Sequence, residues 1–89
     1  NTIGSNVETL YHILDSRAEA LEFVIREESE VTGIPLMNLN LKNNLLIGCI
    51  NRGGNIKIAR GQDCIQQGDT VIVLTSQKGL RDIRDILRK

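Results

Sequence analysis

Three cations and a run of glycines share one short stretch, "INRGGNIKIARGQD" from Ile50 to Asp63, and this is where the chain concentrates residues able to do chemistry. Arg52, Lys57 and Arg60 suit an anionic ligand, because guanidinium and ammonium groups donate charge-assisted hydrogen bonds to phosphate or carboxylate oxygens. A phosphate cradle of the P-loop kind needs a strand, a glycine-rich loop, and then Lys-Ser or Lys-Thr opening a helix whose N-terminus faces the anion. None of that follows here. Gly53, Gly54, Gly61 and Gly68 miss the G-x-G-x-x-G spacing, and each precedes a segment patterned as a strand. The glycines are therefore turn residues, which leaves the cations to serve either a ligand of other geometry or solvent.

Residue types exclude most other chemistry. His12 is the only histidine, and Cys49 and Cys64 have no ligand-spaced companions, so zinc-site spacing is absent. Both cysteines read as core thiols, Cys49 because it stands in an apolar run. No Ser/His/Asp order marks a nucleophile, and Asp63 and Asp69 sit at turn positions where Asp caps its own backbone. The chain is expected not to be an enzyme. With 11 basic and 11 acidic side chains the formal net charge is zero, and Tyr11 and Phe23 are the only large aromatics. That balance offers nucleic acid neither a broad electrostatic attraction nor a stacking platform.

Eighty-nine residues, 40% hydrophobic and 25% charged, suit one soluble globular domain with a modest core. No secretory signal stands out, and no apolar run approaches the ~20 residues of a membrane span. Lacking an initiator methionine, the chain reads as a piece of something longer. Val7, Leu10, Tyr11 and Leu14 repeat at helical spacing behind a Ser5–Glu8 capping-box pattern, so residues 1–16 are expected to be a linker or N-terminal helix. Leu21, Phe23 and Ile25 alternate as in a half-buried strand. "LLIGCIN" from Leu45 reads as a strand covered on both faces, with a neighbouring subunit supplying one cover. Gly53-Gly54 turns it into an antiparallel partner, "NIKIA". "TVIVLT" is a β-branched fourth strand. Leu80, Ile83, Ile86 and Leu87 stripe a terminal helix, with Ser76 at its N-cap and Lys78–Asp82 and Asp85–Lys89 as i,i+4 ion pairs.

The stretch "VTGIPLMNLNLKNNLLIGCINRGGNIKIARGQDCIQQGDTVIVLTS" resembles the C-terminal ligand-binding domain of the TrkA/KtrA potassium-uptake regulators, called TrkA-C or RCK-C. The resemblance covers about residues 17–89. It is carried by Gly33, Leu36 and Leu39, then Ile47, Ile50, Arg52, Gly54, Arg60 and Gly61, and finally Gly68-Asp69 leading into Val71-Ile72-Val73. Two positions depart from the family pattern: Ala59 stands where proline is usual, and Gln62 where an acidic residue is common.

The resemblance implies an α+β fold of β-X-β-β-X-β-α order, a mostly antiparallel sheet or half-barrel with a C-terminal capping helix, forming a two-fold dimer. It implies a cytoplasmic regulatory domain at the inner face of the cell membrane, controlling a membrane potassium channel or transporter subunit. No cofactor is expected on this chain itself. NAD would belong to an upstream Rossmann domain, and cyclic di-AMP or another small anionic effector would bind between two copies. In such a seam Ile47, Ile50 and Ile58 would form apolar walls, and Arg52, Lys57 and Arg60 would meet the anion. The alternatives are an equivalent sensor domain of an anion symporter or cation/proton antiporter, and a purely structural dimerisation module.

Overall fold

The computed structural model describes residues 5–89. Five strands form one sheet: β1 Val7–Ile13, β2 Ala18–Val24, β3 Leu45–Arg52, β4 Asn55–Ile58 and β5 Thr70–Thr75, in the order β1-β2-β5-β3-β4. Every neighbouring pair is antiparallel. The sheet is open, with β1 and β4 as its edges. Among the described residues the only helical pieces are two short 3₁₀ turns, Leu36–Asn38 and Ile83–Ile86.

This overturns the expected α+β half-barrel with a C-terminal capping helix, and each departure has a local cause. The apolar spacing of residues 7–14 fits a helix, but Thr9, Tyr11 and Ile13 are β-branched or aromatic and alternate along one strand face, and a register shift turns β-branched Val7 to the core side opposite Phe23. Residues 1–4 of the expected N-terminal segment lie outside the described residues. The hairpin back to β2 is made by Leu14, Asp15 and Ser16, all at positive φ. Ser5 and Glu8 cap no helix: the Arg26 backbone N–H donates to Ser5 Oγ at 3.1 Å, and the Arg26 guanidinium meets Glu8 at 2.6 Å.

At the other end Leu80, Ile83 and Ile86 are buried as expected, yet their spacing is three, the period of a 3₁₀ turn and not of an α-helix. Gly79, at φ +86°, interrupts any helix begun at Ser76. The cap is Asp82. Its carboxylate accepts the Arg84 N–H at 2.9 Å, while Asp85 Oδ2 accepts the Asp82 N–H at 3.0 Å, so the two carboxylates cap each other's turn. The expected i,i+4 ion pairs do not form: Asp82 pairs with Arg84, and Lys78 Nζ donates to the Ser16 carbonyl at 2.7 Å. Asp82→Ala is expected to cost about 1 kcal/mol of stability, measured by urea unfolding, because it strands that donor.

Pairing register sorts the sheet into two faces. Leu21, Phe23, Val71, Val73, Ile47 and Ile50 point inward and are buried. Ile25, Val31, Leu36, Ile65, Leu80, Ile83 and Ile86, from the segments between and after the strands, cover them. A register shift at Gly48 lets Ile47 and Ile50, three residues apart, share that inner face. The opposite face is open. One row across it runs Tyr11, Ala20, Leu74, Leu46, the next Glu22, Ile72, Cys49, Ile58, and the last Val24, Thr70, Asn51, Ile56. β3 is thus covered on one face only, with Leu46 60% exposed on the other. Cys49 and Cys64 are free and half-buried, not core thiols, because Cys49 falls on the open face.

Candidate functional site

The β3–β4 hairpin closes through Gly53 and Gly54, both at positive φ, a two-residue turn that a side chain at either position would strain. It sets Arg52 and Lys57 on the inner side of the sheet edge, where each finds an acid. Arg52 Nε and Nη2 donate to Asp69 Oδ1 and Oδ2 at 2.8 and 2.9 Å, and Nη2 also donates to the Cys64 carbonyl at 2.8 Å. Asp69 is fully buried at the start of β5, and its Oδ2 accepts the Gln66 N–H at 2.8 Å. One guanidinium thereby ties the hairpin to the Cys64–Asp69 turn. Lys57 Nζ lies 3.0 Å from Asp63 Oδ1, while Asp63 Oδ2 accepts the Arg60 N–H at 2.8 Å. The Arg60 side chain is exposed and makes no ion pair or hydrogen bond among the described residues.

Burial pushes the Asp69 carboxyl up, but the Arg52 hydrogen bonds, the Gln66 N–H and the nearby cations outweigh it and hold it below the ordinary carboxylate range. Asp63 is lowered by Lys57 and by the Arg60 N–H. For Asp85, burial again acts upward, and the Arg81 and Asp82 N–H groups prevail, leaving it lowered. Groups depressed on folding stabilise the native state fully above the unfolded aspartate value of about 3.9 and lose that contribution as pH falls through their folded values. The thermal midpoint is therefore expected to be flat from pH 7 to about 5 and to fall steeply below about 4. Calorimetry in low-salt buffers checks this, and Asp69→Asn is expected to flatten the acid limb.

The six residues expected to line a ligand seam do not converge. Ile47 and Ile50 face the core, and Ile58, paired with Cys49, is 73% exposed on the opposite face. Within one copy Ile58 therefore stands across the sheet from Ile47 and Ile50. Arg52 and Lys57 are engaged by Asp69 and Asp63. Ile47 and Arg60 alone come together, at a small apolar cleft that also takes in Leu36, Leu41 and Leu45. Sequence reading treated Asp63 and Asp69 as turn caps, which they are, but missed their second role as counter-ions, since an ion pair between distant turns leaves no local pattern. Among the described residues no three His, Cys, Asp or Glu side chains gather as a metal site, and no helix is long and apolar enough to cross a membrane.

Residues 20–88 match the TrkA-C domain family. The chain is 34% identical over 73 residues to the Trk system potassium uptake protein TrkA homolog of Pyrococcus abyssi, covering 81% of this chain and 32% of that protein. It is 36% identical over 76 residues to the Trk system potassium uptake protein TrkA of Haemophilus influenzae, covering 82% of this chain and 16% of the relative. With Trk system potassium uptake protein TrkA homolog 1 of Methanosarcina mazei it shares 29% identity over 82 residues, covering 92% of this chain and 18% of that protein. The chain thus spans a third or less of each of these relatives. It belongs to the TrkA-C domain family, whose members are regulatory and non-catalytic.

Proposed function

We propose that this TrkA-C domain is the regulatory part of a Trk-type potassium-uptake protein, acting at the inner face of the cell membrane as a two-fold pair that biases a membrane transport subunit. The single observation carrying this reading is the family match over residues 20–88, joined to an open sheet face that one copy leaves bare. Tyr11, Leu46, Ile56, Ile58, Ile72 and Leu74 give that face a continuous apolar surface, of the kind a soluble chain buries against a partner. Asn51 lies on the same face, its Oδ1 buried and without a donor among the described residues.

Regulation then follows from differential affinity. A small anionic effector, cyclic di-AMP among the candidates, that prefers one geometry of the pair shifts the equilibrium by its difference in binding, typically ~1–3 kcal/mol. NAD, where the full-length protein uses it, would be held by another domain, since these residues carry no dinucleotide fingerprint.

The test is growth of a potassium-uptake-deficient strain at limiting potassium, carrying the full-length protein with and without residues 17–89. Loss of uptake, or of its response to effector, is expected on deletion. Identical growth and response in both would reject the assignment.

A further inference from the structure

We propose that the cleft between the Leu36–Asn38 turn and the start of β3 binds a small amphipathic monoanion, a monocarboxylate with an aliphatic body of about six to eight carbons, its head on Arg60. The cleft is contained within one copy. It measures about 180 Å³, and Leu36, Leu41, Leu45, Ile47 and Ala59, with Leu46 at its edge, give it apolar walls. Arg60 is its one charged lining residue.

Size and charge together select the ligand class. An apolar cavity of ~150 Å³ accommodates a body about as large as benzene, whereas drug-sized ligands fill ~300 Å³ or more. A cyclic dinucleotide is too large for this cleft. With Arg60 its one polar side chain, the cleft gives a sugar or base little else to hydrogen-bond, so the body is hydrocarbon. Arg52 and Lys57 are held in ion pairs, whereas the Arg60 guanidinium makes none among the described residues and acts on Asp63 only from beyond pairing distance, so a carboxylate can take it without breaking a pair.

The frame is fixed where it needs to be. The Leu36 N–H donates to the Asp63 carbonyl at 2.8 Å and the Met37 N–H to the Gly61 carbonyl at 2.9 Å, which locks the turn to the loop carrying Arg60. The Lys42 N–H donates to the Ile86 carbonyl at 2.8 Å and holds the Leu41 wall. Met37 closes the lip. It lies over Gly61, where an added Cβ would come within 3.2 Å of the Met37 Cβ, and it is 66% exposed, a flexible thioether able to swing aside.

The proposal takes Arg60 as a ligand contact, as the resemblance to the family implies, but needs neither dimerisation nor potassium uptake. Methyl NMR titration of the chain with butanoate, hexanoate and octanoate tests it, with octyltrimethylammonium as the charge-reversed control and cyclic di-AMP as a separate arm. Affinity is expected to rise about fourfold per added methylene until the cleft is full, with shifts confined to the cleft lining, Leu36, Met37, Leu41, Leu45, Leu46, Ile47 and Ala59. Arg60→Gln should weaken octanoate about tenfold. Ala59→Leu, which fills the cleft, should abolish binding. Should that variant fail to fold, Arg60→Gln and the chain-length series still decide. No binding, equal binding of the cationic control, or shifts centred on Tyr11, Ile56 and Ile58 on the open face would overturn the proposal. Octanoate binding with no cyclic di-AMP response would sustain it while removing that nucleotide from the functional reading.

Discussion

Replacing Arg52 by alanine is expected to lower stability by about 3 kcal/mol, a fall of roughly 15 °C in the thermal midpoint for a domain this small. The cause is the carboxylate left behind. Asp69 is fully buried, and without the guanidinium its charge keeps a single hydrogen bond, from the Gln66 N–H at 2.8 Å. Breaking the pair from the other side should be milder. The Arg52 side chain is 41% exposed, so in Asp69→Asn the guanidinium can hydrate, and a cost of about 1–2 kcal/mol is expected.

The pH dependence should also change sign. In the parent protein Asp69 is held low and favours folding above the unfolded aspartate value. In Arg52→Ala, burial is opposed only by the Gln66 N–H and by Lys57, and the folded value is expected to rise above the unfolded one. That group then disfavours folding at neutral pH and relents as pH falls. The stability gap between parent and variant should narrow from pH 7 to pH 5, as measured by urea unfolding at each pH. A gap that stays constant would show that Arg52 acts through packing alone.

Leu46→Glu carries the second large effect, expected on association and not on folding. Leu46 stands on β3 in the open face, 60% exposed in the single copy, beside Leu74 and one row from Ile58. A two-fold interface meets the substitution twice, and burying two unpaired carboxylates is expected to weaken pairing at least about 100-fold. Because the residue is largely solvated in one copy, unfolding of the separated chain should move by less than about 1 kcal/mol. Ile58→Glu on edge strand β4 should act likewise. Loss of folding in both variants would mean that the face is part of the single-chain core.

Some of this architecture was readable from residue order, and the pattern of success has a physical basis. β2, the β3–β4 hairpin and β5 announced themselves because alternation, β-branching and paired glycines are local signals. The Leu80, Ile83, Ile86 stripe was correctly read as buried, but a spacing of three does not by itself separate an α-helix from a 3₁₀ turn, and Gly79 decides it. β1 was hidden because "VETLYHI" satisfies both periodicities, and only pairing with Ala18–Val24 selects the strand. At the site, the nearness of Arg52, Lys57 and Arg60 in the sequence is legible, whereas their sorting into two paired cations and one without an ion pair depends on Asp63 and Asp69. Those partners are brought near by the fold, and the Gly48 register shift, which turns Ile50 inward and leaves Ile58 outside, has no signature in composition.

The account rests on the open sheet face being a surface meant for a second copy, and sedimentation equilibrium of the chain from micromolar to millimolar concentration bears on it most directly. A two-chain mass at tens of micromolar, reduced to one chain by Leu46→Glu, is the predicted result. A single-chain mass up to the highest concentration, unchanged by that substitution, would contradict it.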